Sequence, residues 1–217
     1  MTVPGSDNAP RIGRFRVVGH LGKGGQGSVF RALDPDLGRE VALKIIKHRS
    51  PDSQESRRFV EEARIAAQIA HPNVIPLYDV LEHKGQTVLV FEYVQGTTLK
   101  AMLADTGGVA EEDALSIMVR IAVGLAAAHE KDIIHLDLTP NNVMMEGERR
   151  PRIMDFGLAR LVATDEAARS LFKGTPRYIA PEHLTSAPLT AATDVYALGL
   201  VFYELLTVAT YPLVAHD

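Results

Sequence analysis

Apolar and polar positions follow mainly the strand period up to Tyr93, with one helical stretch among them, and mainly the helical period after it. Phe15 to Leu21 alternates weakly among β-forming residues and predicts a strand. Val29 to Leu33 and Glu40 to Ile46 read the same way, separated by the turn Asp34-Pro35-Asp36-Leu37-Gly38. Ser53 to Ala70 has helical spacing, with Phe59, Ala63, Ala66, Ala67 and Ile69 on one side, and His71-Pro72-Asn73 ends it. Val74 to Leu81 and Thr87 to Tyr93 predict two more strands. Five strands and one helix are therefore expected before residue 94.

From residue 98 the spacing turns helical. Thr98 to Leu103 predicts a short helix. Glu111 to Glu130 predicts a long one, with Ala114, Leu115, Met118, Ile121, Ala122 and Leu125 along its stripe. Arg152 to Met154 reads as a short strand. Asp194 to Leu206 is apolar nearly all round, which predicts a buried helix. Strands first and helices second is an α+β pattern. Residues 1 to about 11 are polar and contain Pro and Gly, so a mobile tail is expected there.

Composition narrows the chemistry. The chain has 217 residues, 46% hydrophobic and 23% charged, within the range of a soluble globular protein. A formal charge of -4 argues against a broad nucleic-acid surface. With no cysteine, disulfides, thiolate metal sites and cysteine nucleophiles are excluded, and nothing points to secretion. No apolar run reaches membrane-spanning length, and the start shows no signal-peptide pattern. The eight histidines stand singly, at no metal-ligand spacing.

Two stretches carry candidate chemistry. In Gly22-Lys23-Gly24-Gly25-Gln26-Gly27 four glycines in six positions would let backbone N–H groups approach an anion. A strand follows, so the pattern is strand–turn–strand and not a dinucleotide-binding strand–turn–helix. Lys44 stands among apolar residues on the third strand. It is either an edge-strand lysine or a point charge for phosphate. In Ile134-His135-Leu136-Asp137-Leu138-Thr139-Pro140-Asn141-Asn142-Val143, Pro140 disfavours helix and apolar residues flank a loop. Asp137 and Asn142 on such a loop suit proton handling and cation binding by oxygen. An Asx-rich turn accounts for the loop alone equally well.

Together with Asp155-Phe156-Gly157, Gly174-Thr175-Pro176-Arg177-Tyr178 and Ala180-Pro181-Glu182, these stretches resemble, in order and spacing, a eukaryotic-type protein kinase, most like the bacterial serine/threonine kinases. The resemblance covers residues 15 to 217. It implies a two-lobed fold, with an N-lobe (12–94) of five antiparallel strands and one helix, and a mainly helical C-lobe (95–217). It implies ATP and Mg²⁺ as cofactors, Mn²⁺ being an alternative, a protein substrate, and a cytoplasmic setting. Gly22, Gly24 and Gly27 resemble the loop over the ATP phosphates, and Lys44 the lysine on the α- and β-phosphates. Glu62 resembles the helix glutamate that pairs with that lysine. The Glu92 carbonyl and Val94 N–H would read adenine, with Phe91 as gatekeeper. Leu21, Val29, Ala42 and Met144 would line its site. Asp137 matches the catalytic aspartate, and Asn142 and Asp155 match the metal ligands. His135 and Phe156 resemble members of an apolar stack, so His135 is read as packing. Asp194 resembles the aspartate that caps the catalytic-loop backbone.

The chain departs from the family in three places. Leu136 replaces an arginine whose charge is neutralised by phosphate on the activation segment. Activity is therefore expected not to depend on phosphorylation of Thr164, Ser170 or Thr175. Thr139 replaces a lysine near the γ-phosphate, which implies slower transfer unless Lys23 or Lys173 substitutes. No lysine or arginine follows Arg177, so the arginine that pairs in the family with the counterpart of Glu182 has none here. The resemblance thus implies a C-lobe truncated after the helix 194–206. A partner or second copy would cover it, and stability alone is expected to be poor. The competing reading is a weakly active or inactive pseudokinase-like module that binds nucleotide or a partner.

Overall fold

Alternation sorts β4 (Arg39–Ile46) into a face carrying Val41 and Leu43 and a face carrying Ala42 and Lys44. The first face builds a core with Ile12, Phe15, Ala32, Val88 and Val90. The computed structural model describes residues 10–24, 27–46, 54–147, 149–156, 176–185 and 187–207. The chain divides into two compact units, Met1–Ala67 with Leu77–Tyr93, and Gln68–Pro76 with Val94–Asp217.

The first unit is an antiparallel sheet in the order β1-β2-β3-β4-β6-β5. Its other strands are β1 (Arg11–Ile12), β2 (Phe15–Gly24), β3 (Gly27–Asp34), β5 (Leu77–His83) and β6 (Gln86–Glu92). The five expected strands are present, and a sixth, β1, extends the edge. Arg11 and Ile12 pair with Arg16 and Phe15, so the chain is ordered where the tail was expected to end. β5 and β6 are joined by Lys84-Gly85, both with positive φ, as a two-residue hairpin turn requires. Helix α1 (Gln54–Ala66) buries Phe59 and Ala63 one turn apart. It ends before the expected Ala70, and Ala67 is exposed.

In the second unit β7 (Thr97–Thr98), β8 (Val143–Glu146) and β9 (Arg150–Ile153) form a small sheet. Helix α2 (Leu99–Thr106) starts on a side-chain cap, Thr98 Oγ1 accepting from Ala101 N at 3.1 Å. Helix α3 (Glu111–His129) begins with Glu111, Glu112 and Asp113, which suit the positive end of the helix dipole. Its buried stripe is Ala114, Ile117, Met118, Ile121, Gly124, Leu125 and Ala128. Leu115, expected on that stripe, is exposed. Gly124 lets α3 approach β9: a Cβ there would stand 3.0 Å from Ile153 Cδ1 and 3.2 Å from Asn73 O. Helix α4 (Ala191–Thr207) packs on α3 and buries Asp194, Ala197, Val201, Glu204 and Leu205, while Val195, Tyr196 and Leu206 are exposed. Among the described residues no helix is long and apolar enough to cross a membrane.

Candidate active site

In the first unit, strand register gathers several candidate residues. Directly paired residues of an antiparallel sheet share a face. Val29 pairs with Lys44 and Lys44 with Leu89, while Arg31 pairs with Ala42 and Ala42 with Phe91. Val29, Ala42, Lys44 and Phe91 therefore lie on one face, opposite the core of Val41 and Leu43. Lys44 is not on an edge. Its strand lies between β3 and β6, and the residue is buried. Burying a lysine there costs free energy that an edge position would not.

The glycine hairpin pairs Gly22 with Val29 and Gly24 with Gly27. Its tip, Gly25 and Gln26, lies outside the described residues, as do Lys173 and Thr175. The glycines differ in what requires them. A Cβ on Gly27 would fall 1.9 Å from the Ile45 carbonyl oxygen, so the close approach of β3 to β4 requires glycine. Around Gly22 no described atom lies within 4 Å of the corresponding point. Packing therefore does not explain Gly22, and a ligand approaching the backbone would. Leu21, beside it, is exposed. Glu62 lies on α1, with its side chain outside the described groups. Glu92 ends β6, and Val94 is buried in the second unit.

In the second unit the loop from His135 to Asn142 is fixed from beneath. Asp194 Oδ2 accepts from His135 N at 2.8 Å, and Asp194 Oδ1 accepts from Leu136 N at 2.9 Å. His129 Nε2 lies 2.8 Å from the same Oδ2. These bonds hold Leu136 at φ 64°, a left-handed conformation unusual for a leucine. His135 is fully buried and packs edge-on against Phe156, with ring centroids 4.8 Å apart. Its Nδ1 accepts from Asp137 N at 3.2 Å, which assigns the proton to Nε2, 2.9 Å from Met154 O. A neutral imidazole with both nitrogens engaged is a packing group and not a base.

Asn142 Nδ2 donates to the Asp137 carbonyl at 2.7 Å and to Asp137 Oδ2 at 3.0 Å. With the amide nitrogen turned to Asp137, the amide oxygen is the atom offered to a cation. The β8–β9 hairpin brings Asp155 to the same place. Val143 pairs with Ile153, and Met154 N donates to Asn142 O at 3.0 Å. Asp155, next in sequence, has φ 66°, a second strained residue at the site. Segment 73–75 clips the hairpin, with Ile75 N donating to Ile153 O and Ile153 N to Asn73 O, both at 2.8 Å. Met144 lies on β8 opposite Arg152, and Thr139 is buried at the start of the turn Pro140–Asn142.

The atoms that Asn142 and Asp155 offer are oxygens, which fits a hard divalent cation such as Mg²⁺. Among the described residues no group of three or more His, Cys, Asp or Glu forms a closed metal cage. Mg²⁺ characteristically takes the rest of its shell from water and phosphate, so the open set fits that ion.

Sequence reasoning missed two groups here. His129 gives no local signal, because its partner Asp194 is 65 positions away. Glu204 does leave one, as a carboxylate inside an otherwise apolar helix. Glu182 has a partner the sequence did not reveal: a hydrogen bond from Thr193, first among the causes, holds its carboxyl below the usual range. Thr193 Oγ1 in turn accepts from Thr190 N at 3.1 Å.

Residues 15–215 match the family model described as the protein kinase domain. The serine/threonine-protein kinase PrkC of Bacillus subtilis is 36% identical over 90% of this chain and 30% of its own length. The kinase pkn2 of Myxococcus xanthus is 37% identical over 90% of this chain and 24% of its own. The chain thus spans less than a third of these relatives. The solved kinase domain of Mycobacterium tuberculosis PknI superposes with a TM-score of 0.79 at 27% identity, over 96% of this chain and 78% of that one. Rad53 residues 1–466, solved with AMP-PNP, gives 0.76 at 26%, over 91% of this chain and 49% of that one.

Proposed function

The chain belongs to the protein kinase family, and from that premise we propose that it transfers the γ-phosphoryl group of ATP to serine or threonine hydroxyls of protein substrates. Its relatives in Bacillus subtilis and Myxococcus xanthus are named serine/threonine-protein kinases. The observation that carries the reading is the Asn142–Asp137 hydrogen-bond pair on a loop whose backbone Asp194 caps.

Phosphoryl transfer asks a protein mainly for positioning and charge neutralisation. In the first unit Lys44 would hold the α- and β-phosphates, with Glu62 as its counter-ion. Backbone N–H groups of the Gly22–Gly27 hairpin would meet phosphate oxygens. Val29, Ala42 and Leu21 would cover adenine beside the gatekeeper Phe91, and the Glu92 carbonyl would accept its amino proton. In the second unit Val94 N–H would donate to adenine and Met144 would underlie it. Asn142 and Asp155 would hold Mg²⁺, which when bound supplies charge neutralisation for the phosphates. Asp137 Oδ would accept the substrate hydroxyl proton, its orientation held by Asn142 Nδ2. Thr139 keeps a hydroxyl where a cation would stabilise the transferring group. Loss of one such donor costs roughly 10²–10³ in rate. ATP as donor places the proposed reaction in the cytoplasm.

The test is transfer of labelled phosphate from ATP with Mg²⁺ to the chain itself and to a generic basic protein, comparing wild type with Asp137→Asn. Transfer by wild type, abolished in the variant, is expected. Equal signal from the two would defeat the proposal. The presence of Lys44, Asp137, Asn142 and Asp155 in the sequence supports transfer over the alternative of a binding module without it.

A further inference from the structure

Arg31 lies on the face of the first unit that carries the candidate nucleotide residues. It pairs with Ala42, and Ala42 with Phe91. Glu40, two residues before Ala42, falls on the same face. The guanidinium is held there by a fork. Arg31 Nε donates to Glu40 Oε1 at 2.9 Å, and Nη2 donates to Oε2 at 2.8 Å. The same guanidinium stands over the Tyr93 ring, with Cζ 4.7 Å from its centroid. On its other flank Arg31 pairs with Gly19, where a Cβ would meet nothing within 4 Å. Among the described residues, Glu40 and Tyr93 therefore set where this cation points.

Exposed ion pairs as a rule contribute little to stability, and the side chains of Arg31 and Glu40 are 41% and 40% exposed. A bidentate fork under a stacked ring adds something else, which is direction. A planar guanidinium can satisfy both carboxylate oxygens and lie over a ring in few arrangements only. What it holds is Tyr93. That residue is the last of the first unit, where the chain leaves for Val94. The Glu92 carbonyl and the Tyr93 N–H belong to one rigid peptide plane. Holding the Tyr93 side chain therefore limits rotation of the plane that carries the Glu92 carbonyl.

We propose that Arg31 is a positioning residue for the nucleotide: forked to Glu40 and laid over Tyr93, it aims the Glu92 carbonyl at the exocyclic amino group of adenine. That amino group is a donor, so a carbonyl held in its path rewards adenine over a purine that lacks it. The inference rests on the nucleotide site proposed above and adds to it a group that touches neither base nor phosphate.

The experiment is equilibrium binding of two ligands with Mg²⁺, ATP and purine riboside triphosphate, which lacks only the amino group. It uses the full chain and the variants Arg31→Met, Arg31→Lys, Tyr93→Leu and Tyr93→Phe. Arg31→Met and Tyr93→Leu should each weaken ATP about fivefold, the effect of one cation–ring contact, and leave the other ligand within about twofold. Arg31→Lys should fail as Arg31→Met does, because an ammonium neither forks nor stacks. Tyr93→Phe keeps the ring and should keep the preference for ATP. The double variant Arg31→Met with Tyr93→Leu should bind ATP no more weakly than either single one, since both remove the same contact. Unchanged ATP affinity in Arg31→Met, or full rescue by lysine, would overturn the proposal and leave the nucleotide site standing. So would equal weakening of both ligands with a melting temperature lowered by more than about 2 °C, which would make the three side chains a packing device. A wild type that binds neither ligand would overturn the site and this inference together.

Discussion

Asn142 and Asp137 are joined twice through one nitrogen, Nδ2 donating to the Asp137 carbonyl and to its carboxylate. The amide thus orients the group proposed to take the proton without competing for it. Asn142→Asp would replace a donor by a second carboxylate about 3 Å away. Like charges that close push one pKa of the pair upward, so Asp137 spends less time as a base. We predict a fall in kcat of about 10²–10³ at neutral pH. The deficit should shrink as pH rises, because the pair then loses its shared proton. A pH–rate profile parallel to wild type would contradict this.

Asp194→Ala should destabilise the chain by about 3 kcal/mol, since it strips partners from two backbone N–H groups held under the loop. At roughly 2–4 °C per kcal/mol for a chain of this size, the melting temperature should fall by about 6–12 °C. Thermal unfolding followed by circular dichroism checks it. A shift below about 2 °C would mean the loop is held elsewhere.

Gly22 and Gly27 should separate in mutants. Gly27→Ala forces a Cβ onto the Ile45 carbonyl, so both stability and ATP affinity should drop. Gly22→Ala meets open space, so its melting temperature should stay within about 1 °C while ATP affinity falls. Melts paired with ATP titrations distinguish the two, and a stability loss in Gly22→Ala would count against the assignment.

Leu136 brings no buried cation to the loop, so no phosphate is required to neutralise one. Phosphatase treatment, or Ser170→Ala in the segment outside the described residues, should leave kcat within about twofold. A gain of tenfold or more on phosphorylation would refute this.

Glu182 titrates below the ordinary carboxylate value, chiefly through its bond from Thr193. A depressed folded-state pKa contributes stability that is present above the unfolded value and is lost as pH falls through the folded one. Acid unfolding of Thr193→Val should therefore depend less steeply on pH in the acid range than that of wild type. Identical acid slopes would show that the bond does not couple to folding.

The strands and helices with clear periodicity were legible because their burial follows sequence spacing directly. Phe15, Val41, Leu43 and Val90 form a core where alternation placed them. β8 was hidden. Val143-Met144-Met145-Glu146 shows no alternation, and its partner Arg150-Pro151-Arg152-Ile153 contains proline and two arginines. In that strand buried Arg152 donates to the Val74 carbonyl at 3.3 Å, a contact between distant segments. For a similar reason local sequence left open whether Lys44 lies on an edge. Strand order depends on β6 returning to β4 after the α1 connection, and no local window contains that information. At the site, residue types announced Asp137, Asn142 and Asp155. His129, Glu204 and Thr193 bond to Asp194, Tyr178 and Glu182 across 11 to 65 positions, and of the three Glu204 alone leaves a local trace, as a carboxylate in an apolar helix.

Asp194 and Glu204 stand on one helix, ten residues and about 15 Å apart. One caps the loop that carries Asp137 and the other ties the turn that carries Tyr178. A substitution between them alters one contact at a time. An inserted or deleted residue is different, because it swings Glu204 about 100° around the axis relative to Asp194. One of the two attachments must then be lost. The stretch from 194 to 204 is therefore a fixed length of chain, free to drift in composition but closed to insertions and deletions.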